Sequence, residues 1–322
     1  MTAFDAEIAE QPQAARRFLQ QADAHVDSWR RLPRPVRVSF VGRGSSGHAC
    51  EFGSILLESS GIRSSVLPPS VLNEGDIDLT GDWLVAISQS GRTPEVIGAL
   101  ARAQGAGAQT FLFTNGEIEL DETTAIDLLA GPERAIPATK TFTNSLLATH
   151  VLARALAGSG PVEVPDAPRW IELGLQLDLT PLIASIGDSS SVLIGGRGPL
   201  APIAREVSLK LGETTGMWAL GESWNEAQHG PIHALTGVPV ILLSPDPAEP
   251  STVAARDRFL SIGCVVRTIG FGGDIDLGVP VSPEEMAYTG VVIGQRLASA
   301  LCRERGIDPD EPRHLSKVTK TH

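Results

Sequence analysis

Apolar positions at helical spacing, Phe4, Ile8, Phe18 and Val26, thread through polar neighbours over residues 4–31, and Pro33 with Pro35 stops the run. A leading helical segment over 1–35 is predicted. The pattern then alternates: a strand over 36–41, a helix over 46–60, a short strand over 64–67, a strand over 83–88 and a helix over 94–105. Such alternation predicts parallel βαβ units. Strands over 110–114 and 125–129 extend the sheet, and a long apolar helix over 142–156 closes a first domain spanning 36–157. Residues 158–168, rich in glycine and proline, read as a linker. A second domain over 169–322 resumes with a helix near 170–177, a strand over 191–195, a helix over 201–214 and a strand over 238–244.

The two halves share local features. Val41-Gly-Arg-Gly44 is matched by Gly195-Gly-Arg-Gly198, and Ala86-Ile-Ser88 by Leu242-Leu-Ser244, which predicts an internal duplication. The fold class expected is therefore α/β, with two parallel-sheet units in tandem related by pseudo-symmetry.

The copies differ where chemistry would sit. After the apolar strand at 83–88 the chain continues as Ser88-Gln-Ser-Gly-Arg-Thr93, just before a helix opened by Pro94 and Glu95. Ser88, Gln89, Ser90 and Thr93 offer donors, Gly91 permits close backbone approach, and the helix start presents free N–H groups, an arrangement suited to phosphate. Capping alone would need only one of these side chains. The second copy has Pro245-Asp246-Pro247 at the matching place, so anion binding is expected in the first unit.

Gly42-Arg-Gly-Ser-Ser-Gly47 fits the dinucleotide pattern GxGxxG. However, the following strand ends as Val66-Leu-Pro-Pro69, without the acid that would hold a ribose. Ser45 and Ser46 instead extend the hydroxyl theme, and adjacent parallel strands would bring both loops to one crevice. Turn and cap duty is the competing explanation for these serines.

Composition narrows the function classes. The formal charge of −12 over 322 residues opposes nucleic-acid binding, which needs a basic face. The three cysteines, Cys50, Cys264 and Cys302, show neither metal-ligand spacing nor a pairing framework and suit a reducing compartment. The first twenty residues show no secretory pattern and no later stretch is apolar enough to span a bilayer, so a cytoplasmic location is expected.

Glu206, Lys210 and Glu213 share one stripe of a helix, with Ala204, Val207 and Leu211 nearly opposite. Spacing alone favours a solvated face carrying an i,i+4 pair. His229 stands in the turn-bounded Gly221-Glu-Ser-Trp-Asn-Glu-Ala-Gln-His-Gly-Pro231, beside glycine and proline instead of on an apolar face, so it reads as placed and not packed.

Taken in order, Gly44-Ser-Ser46, the loop 88–93, Ala138-Thr-Lys-Thr-Phe-Thr143, Glu206-Val-Ser-Leu-Lys-Leu-Gly-Glu213, Gln228-His-Gly-Pro231 and Pro312-Arg-His-Leu-Ser-Lys317 resemble the SIS (sugar isomerase) family. Within it the likeness is to the isomerase half of glucosamine-6-phosphate synthase, and it covers essentially the whole chain.

The resemblance implies two flavodoxin-like units and a homodimer with shared active sites. It implies that Ser46, Ser88, Gln89, Ser90 and Thr93 hold a sugar phosphate, with Ser45 nearby and Ala138 at the sugar. Glu213 would move a proton between C1 and C2 with help from Lys210, His229 would open the ring from the neighbouring subunit, and Lys317 would reach the carbonyl. A partly desolvated carboxylate beside a cation suits such proton transfer, and a lysine suits a Schiff base. No metal or other cofactor is called for.

Two departures stand out: Ala138 replaces a serine of the family pattern and Gly212 a lysine. The resemblance is to the isomerase half alone, and the chain is expected to lack the glutaminase domain. The activity expected is therefore aldose-ketose isomerisation of an amino-sugar phosphate with ammonia release, of the glucosamine-6-phosphate deaminase type. The alternatives are a deglycase acting on a sugar-phosphate amine adduct and a phosphosugar-sensing module without chemistry. Membrane and nucleic acid are not expected as partners.

Overall fold

The computed structural model describes residues 1–116, 118, 120–158 and 166–317. The leading segment is helical and is divided into α1 (Ala3–Ala9), α2 (Gln11–Leu19) and α3 (Ala22–Arg31). Pro12, at the start of α2, lacks the N–H that would continue α1 through it.

The first sheet is built from β1 (Val38–Val41), β2 (Ser64–Val66), β3 (Trp83–Ile87), β4 (Gln109–Thr114) and β5 (Thr123–Asp127), all parallel in the order β2-β1-β3-β4-β5. Register is set by Val38, which faces Ser64 on one side and Trp83 on the other. β1 and β3 are buried throughout, as strands covered on both faces must be. The intervening helices are α4 (Ser45–Ser59), α5 (Pro69–Glu74), α6 (Pro94–Gly105) and α7 (Lys140–Ala157). Val41, Leu84, Ala86 and Leu112 pack with residues of α5 and α6. On α4, a Cβ at Gly53 would lie 2.7 Å from the Thr149 side chain and 3.1 Å from Phe40, so glycine lets α4 and α7 approach over the sheet.

Asp166 caps α8 (Ala167–Gln176) by accepting from the Arg169 N–H, so the helix starts inside the predicted linker, most of which lies outside the described residues. Then follow α9 (Thr180–Ile186), β6 (Ser191–Gly196), α10 (Leu200–Thr215), β7 (Trp218–Ser223), α11 (Trp224–Ala227), β8 (Val240–Leu243), α12 (Pro250–Leu260), β9 (Val266–Gly270), β10 (Ile275–Asp276) and α13 (Pro283–Arg305). The second sheet is also parallel, ordered β10-β9-β8-β6-β7. Counted from its own first strand, that order is again 2-1-3-4-5. The predicted tandem of α/β units is present, and strand order repeats even where residue identity does not.

The described residues cluster into two compact units. One comprises 13–133, 140–158 and 316–317, and the other 1–12, 134–139 and 166–315. α1 joins the second unit because the Ala3 and Phe4 N–H groups donate to Asp310 at 2.6 and 2.9 Å and buried Gln11 donates to Gln295 at 2.7 Å. Among the described residues no helix is long and apolar enough to cross a membrane.

Candidate active site

In a 2-1-3-4-5 sheet the strand order reverses between the first and third strands, and the loops leaving their carboxyl ends part to opposite faces. The crevice between them is where such sheets bind ligands. In the first unit, 42–44 leave β1 for α4, and 88–93 leave β3 for α6. Gly42 is required because a Cβ there would come within 2.9 Å of the Ser46 backbone. Gly44 takes φ +55° at the N-cap of α4, with no side chain capping the helix. Ser45 and Ser46 are the first two residues of that helix and are half-buried.

The second loop turns at Gly91, φ +64°, whose N–H donates to the Ser88 carbonyl at 3.0 Å. Ser88 is buried, and its hydroxyl stands 3.2 Å from that of Thr93. Thr93 occupies the N-cap of α6, yet its side chain caps no backbone amide. Ser90 accepts from the Arg92 N–H at 3.2 Å, and the Gln89 carbonyl accepts from the Asn115 N–H at 3.1 Å. An Arg43–Glu95 ion pair at 3.0 Å ties the first loop to the first turn of α6. Two helices therefore begin here without side-chain caps, beside the hydroxyls of Ser45 and Ser46 on α4 and of the 88–93 loop, and the positive ends of helices favour an anion.

The matching crevice of the second unit holds a cavity of about 350 Å³ lined by Arg197, Leu200, Trp224, Ser244, Asp246 and Thr252 among others. Its rim carries Asp246 and Glu249 in place of the serine-rich loop. Carboxylates there would repel a phosphate.

On α10 the structure overturns the expectation of a solvated face. Glu206 and Lys210 are fully buried, because α10 packs on β6 and β7 on one side and on α13 on the other. Lys210 Nζ lies 2.5 Å from Glu213 Oε2 and 3.4 Å from Glu206 Oε1. Burial alone would lower the lysine pKa, but the two carboxylates outweigh it and hold the pKa above its ordinary value. Glu213 is the most accessible of the three, its side chain 22% exposed. Beside it, a Cβ at Gly212 would sit in ordinary van der Waals contact with the Met217 carbonyl at 3.6 Å, and the glycine leaves no side chain next to Glu213.

His229 is exposed on the turn after α11, its N–H donating to the Glu226 carbonyl at 3.0 Å. Ala138 is half-buried in the stretch 134–139 that groups with the second unit. Lys317, in the first unit, pairs at 3.2 Å with Glu133, a buried acid that no pattern in the sequence singles out. Its only sequence cue is an acid a few residues ahead of a helix start, which is too common to single out. Ser45, Ser46, Ser88, Gln89, Ser90 and Thr93 thus flank one crevice, Lys210 and Glu213 are in direct contact, and His229, Ala138 and Lys317 stand on separate segments.

Residues 33–155 match the SIS domain family. The chain is 31% identical over 97% of its length to a glutamine–fructose-6-phosphate aminotransferase (isomerizing) of Methanothermobacter thermautotrophicus, covering 56% of that protein. It spans about half the length of the curated relatives it matches. Among solved structures, a protein assigned as a phosphosugar isomerase from Silicibacter pomeroyi superposes with a TM-score of 0.84 at 27% identity, covering 96% of this chain and 100% of that one. A glucosamine-6-phosphate deaminase from Thermotoga maritima superposes with a TM-score of 0.80 at 24% identity, covering 99% of each, and shows the shared fold. Residues 33–155 thus carry a SIS domain, and 97% of the chain is homologous to about half of such an aminotransferase.

Proposed function

We propose that the protein is a phosphosugar isomerase acting on an amino-sugar phosphate, of which glucosamine-6-phosphate is the reference substrate. The observation that carries this reading is the crevice at the β1/β3 switch point, where Ser88 and Thr93 turn their hydroxyls toward each other while the helix start beside them has no side-chain cap. Ser46, Ser88, Gln89, Ser90 and Thr93, with Ser45 nearby, hold the phosphate by charge-assisted hydrogen bonds. The relatives' names supply the substrate class.

In the chemistry we assign, His229 passes a proton from the anomeric hydroxyl to the ring oxygen and opens the ring. Glu213 takes the C2 proton and returns it to C1, leaving an imine at C2. Water adds there and ammonia departs, so glucosamine-6-phosphate and water yield fructose-6-phosphate and ammonia. Lys210 holds Glu213 through the 2.5 Å contact and stabilises negative charge near it. Lys317 brings an amine to the carbonyl end, and Ala138 borders the sugar. Two copies sharing sites give the exposed His229 a place to act, in the neighbouring subunit.

Gly212, which carries no side chain where the family pattern has a lysine, favours a second reading, a deglycase that accepts a bulkier sugar-phosphate adduct of an amino acid with the same proton transfers.

Incubation with glucosamine-6-phosphate, followed by assay of ammonia and fructose-6-phosphate, is expected to show both products, and neither with Glu213→Gln. Turnover confined to an amino-acid adduct would establish the deglycase. Binding without turnover of either compound would leave a sensor, and ammonia release that persisted in the variant would remove Glu213 from the reaction.

A further inference from the structure

Glu133 follows β5 in the first unit, and its side chain is fully buried. One oxygen accepts from the Thr141 N–H at 3.1 Å, and the other from the Thr141 hydroxyl at 2.6 Å. Thr141 is the second residue of α7, so the carboxylate rests on the positive end of an eighteen-residue helix. Lys317 Nζ reaches the same carboxylate at 3.2 Å and remains about a quarter exposed. Ion pairs with both partners in water contribute little, but a carboxylate removed from water gains from each cation and donor that meets it.

The Glu133 loop is also joined to the crevice. Asn115 donates its main-chain N–H to the Gln89 carbonyl at 3.1 Å and its Nδ2 to the Gly131 carbonyl at 2.8 Å, while its Oδ1 accepts from the Ala130 N–H at 2.9 Å. One residue therefore spans the 88–93 loop and the strap that ends in Glu133. All of these groups lie beyond the carboxyl ends of parallel strands in one unit.

We propose that Glu133 is a positioning residue that docks the Lys317 amine at the carboxyl edge of the first sheet, one bridging residue away from the crevice loop. It acts through Lys317 and does not itself meet substrate. The docking stands on geometry alone, whereas its consequence for turnover rests on the role given to Lys317 above.

Glu133→Gln keeps a carbonyl oxygen for Thr141 but deletes the charge, and Lys317→Met deletes the amine while leaving the start of α7 intact. The full chain, without substrate, is digested briefly with trypsin, and cleavage after Arg313 is followed by mass spectrometry. Both variants are expected to be cut there at least about fivefold faster than the parent, with the tryptic sites before Arg313 unchanged, because the opening is local. Equal rates would overturn the dock. If Glu133→Gln fails to fold, Lys317→Met carries the test alone.

With glucosamine-6-phosphate, Glu133→Gln is expected to lower kcat by about tenfold or more with KM little changed, and Glu133→Asp to recover part of the loss. Faster cleavage with unchanged kcat would support the dock and remove Lys317 from the chemistry. Unchanged cleavage with reduced kcat would overturn the dock and leave the Lys317 reading standing.

Discussion

Thr93 shows how one hydroxyl separates two explanations. A threonine at an N-cap normally accepts from the helix, and its loss costs about 1 kcal/mol of stability. Here the hydroxyl faces Ser88 and caps nothing. The double variant Ser90→Ala/Thr93→Ala is therefore expected to unfold within about 1 kcal/mol of the parent, yet to bind glucosamine-6-phosphate about 3–5 kcal/mol more weakly by titration calorimetry. Unchanged affinity would remove both residues from the phosphate site.

His150, on α7, carries a pH effect of its own. Burial, together with the Arg154 cation, pushes its pKa from 6.5 down to about 3. As pH falls below 6.5 the unfolded chain takes up a proton that the folded chain refuses, so stability is complete above that value and is lost on descending toward 3. The loss attributable to this group is about 2 kcal/mol near pH 5. Urea titrations at neutrality and near that pH should show a shallower dependence in His150→Gln than in the parent.

At the scale of the element, α10 is the informative helix. Its charged stripe has an ordinary i,i+4 spacing, and nothing in that spacing says that the facing surface is a helix and not water. Lys210→Met would remove the cation between Glu213 and the buried Glu206, and a destabilisation of about 3–5 kcal/mol is expected by chemical denaturation. The double variant Glu206→Gln/Lys210→Met should fall well short of the summed single effects, because the two groups are in contact. The lysine also predicts alkaline behaviour. Its folded pKa lies above the ordinary 10.5, so its contribution is complete below that value and is lost as pH rises through the folded pKa.

β7 escaped the periodic pattern for a related reason. It is an edge strand with Trp218 81% exposed, and at Gly221 a Cβ would come within 2.4 Å of the α10 backbone. A strand chosen for close helix approach does not carry the alternating apolar signal. By contrast, α6 begins and ends at the residues that Pro94 and Gly105 predict.

For the whole molecule, the repeat of strand order in two sheets with different sequences makes the duplication a property of topology. The serine loop survives in one copy and Pro245-Asp246-Pro247 replaces it in the other, so the two crevices are expected to serve different ends. A dimer with shared sites gives a quantitative test. If His229 acts in the neighbouring subunit, mixing inactive Glu213→Gln with inactive His229→Ala and allowing subunits to exchange should restore about one quarter of the parent activity. Half of the dimers would then be mixed, and each mixed dimer would hold one intact site. No recovery, with exchange verified by mass spectrometry, would place His229 and Glu213 in one subunit or show that the protein does not form such dimers.

By itself the sequence determined the alternation of strands and helices, the parallel sheets, the tandem repeat and the serine-rich loop that only one copy carries, because periodicity and turn chemistry are local. Only the tertiary structure decided that Glu206 and Lys210 are buried, that Thr93 turns from its helix to Ser88, and that Glu133 meets Lys317. Burial and pairing depend on which surfaces meet across 184 residues of chain in the last case, and no local pattern encodes that distance.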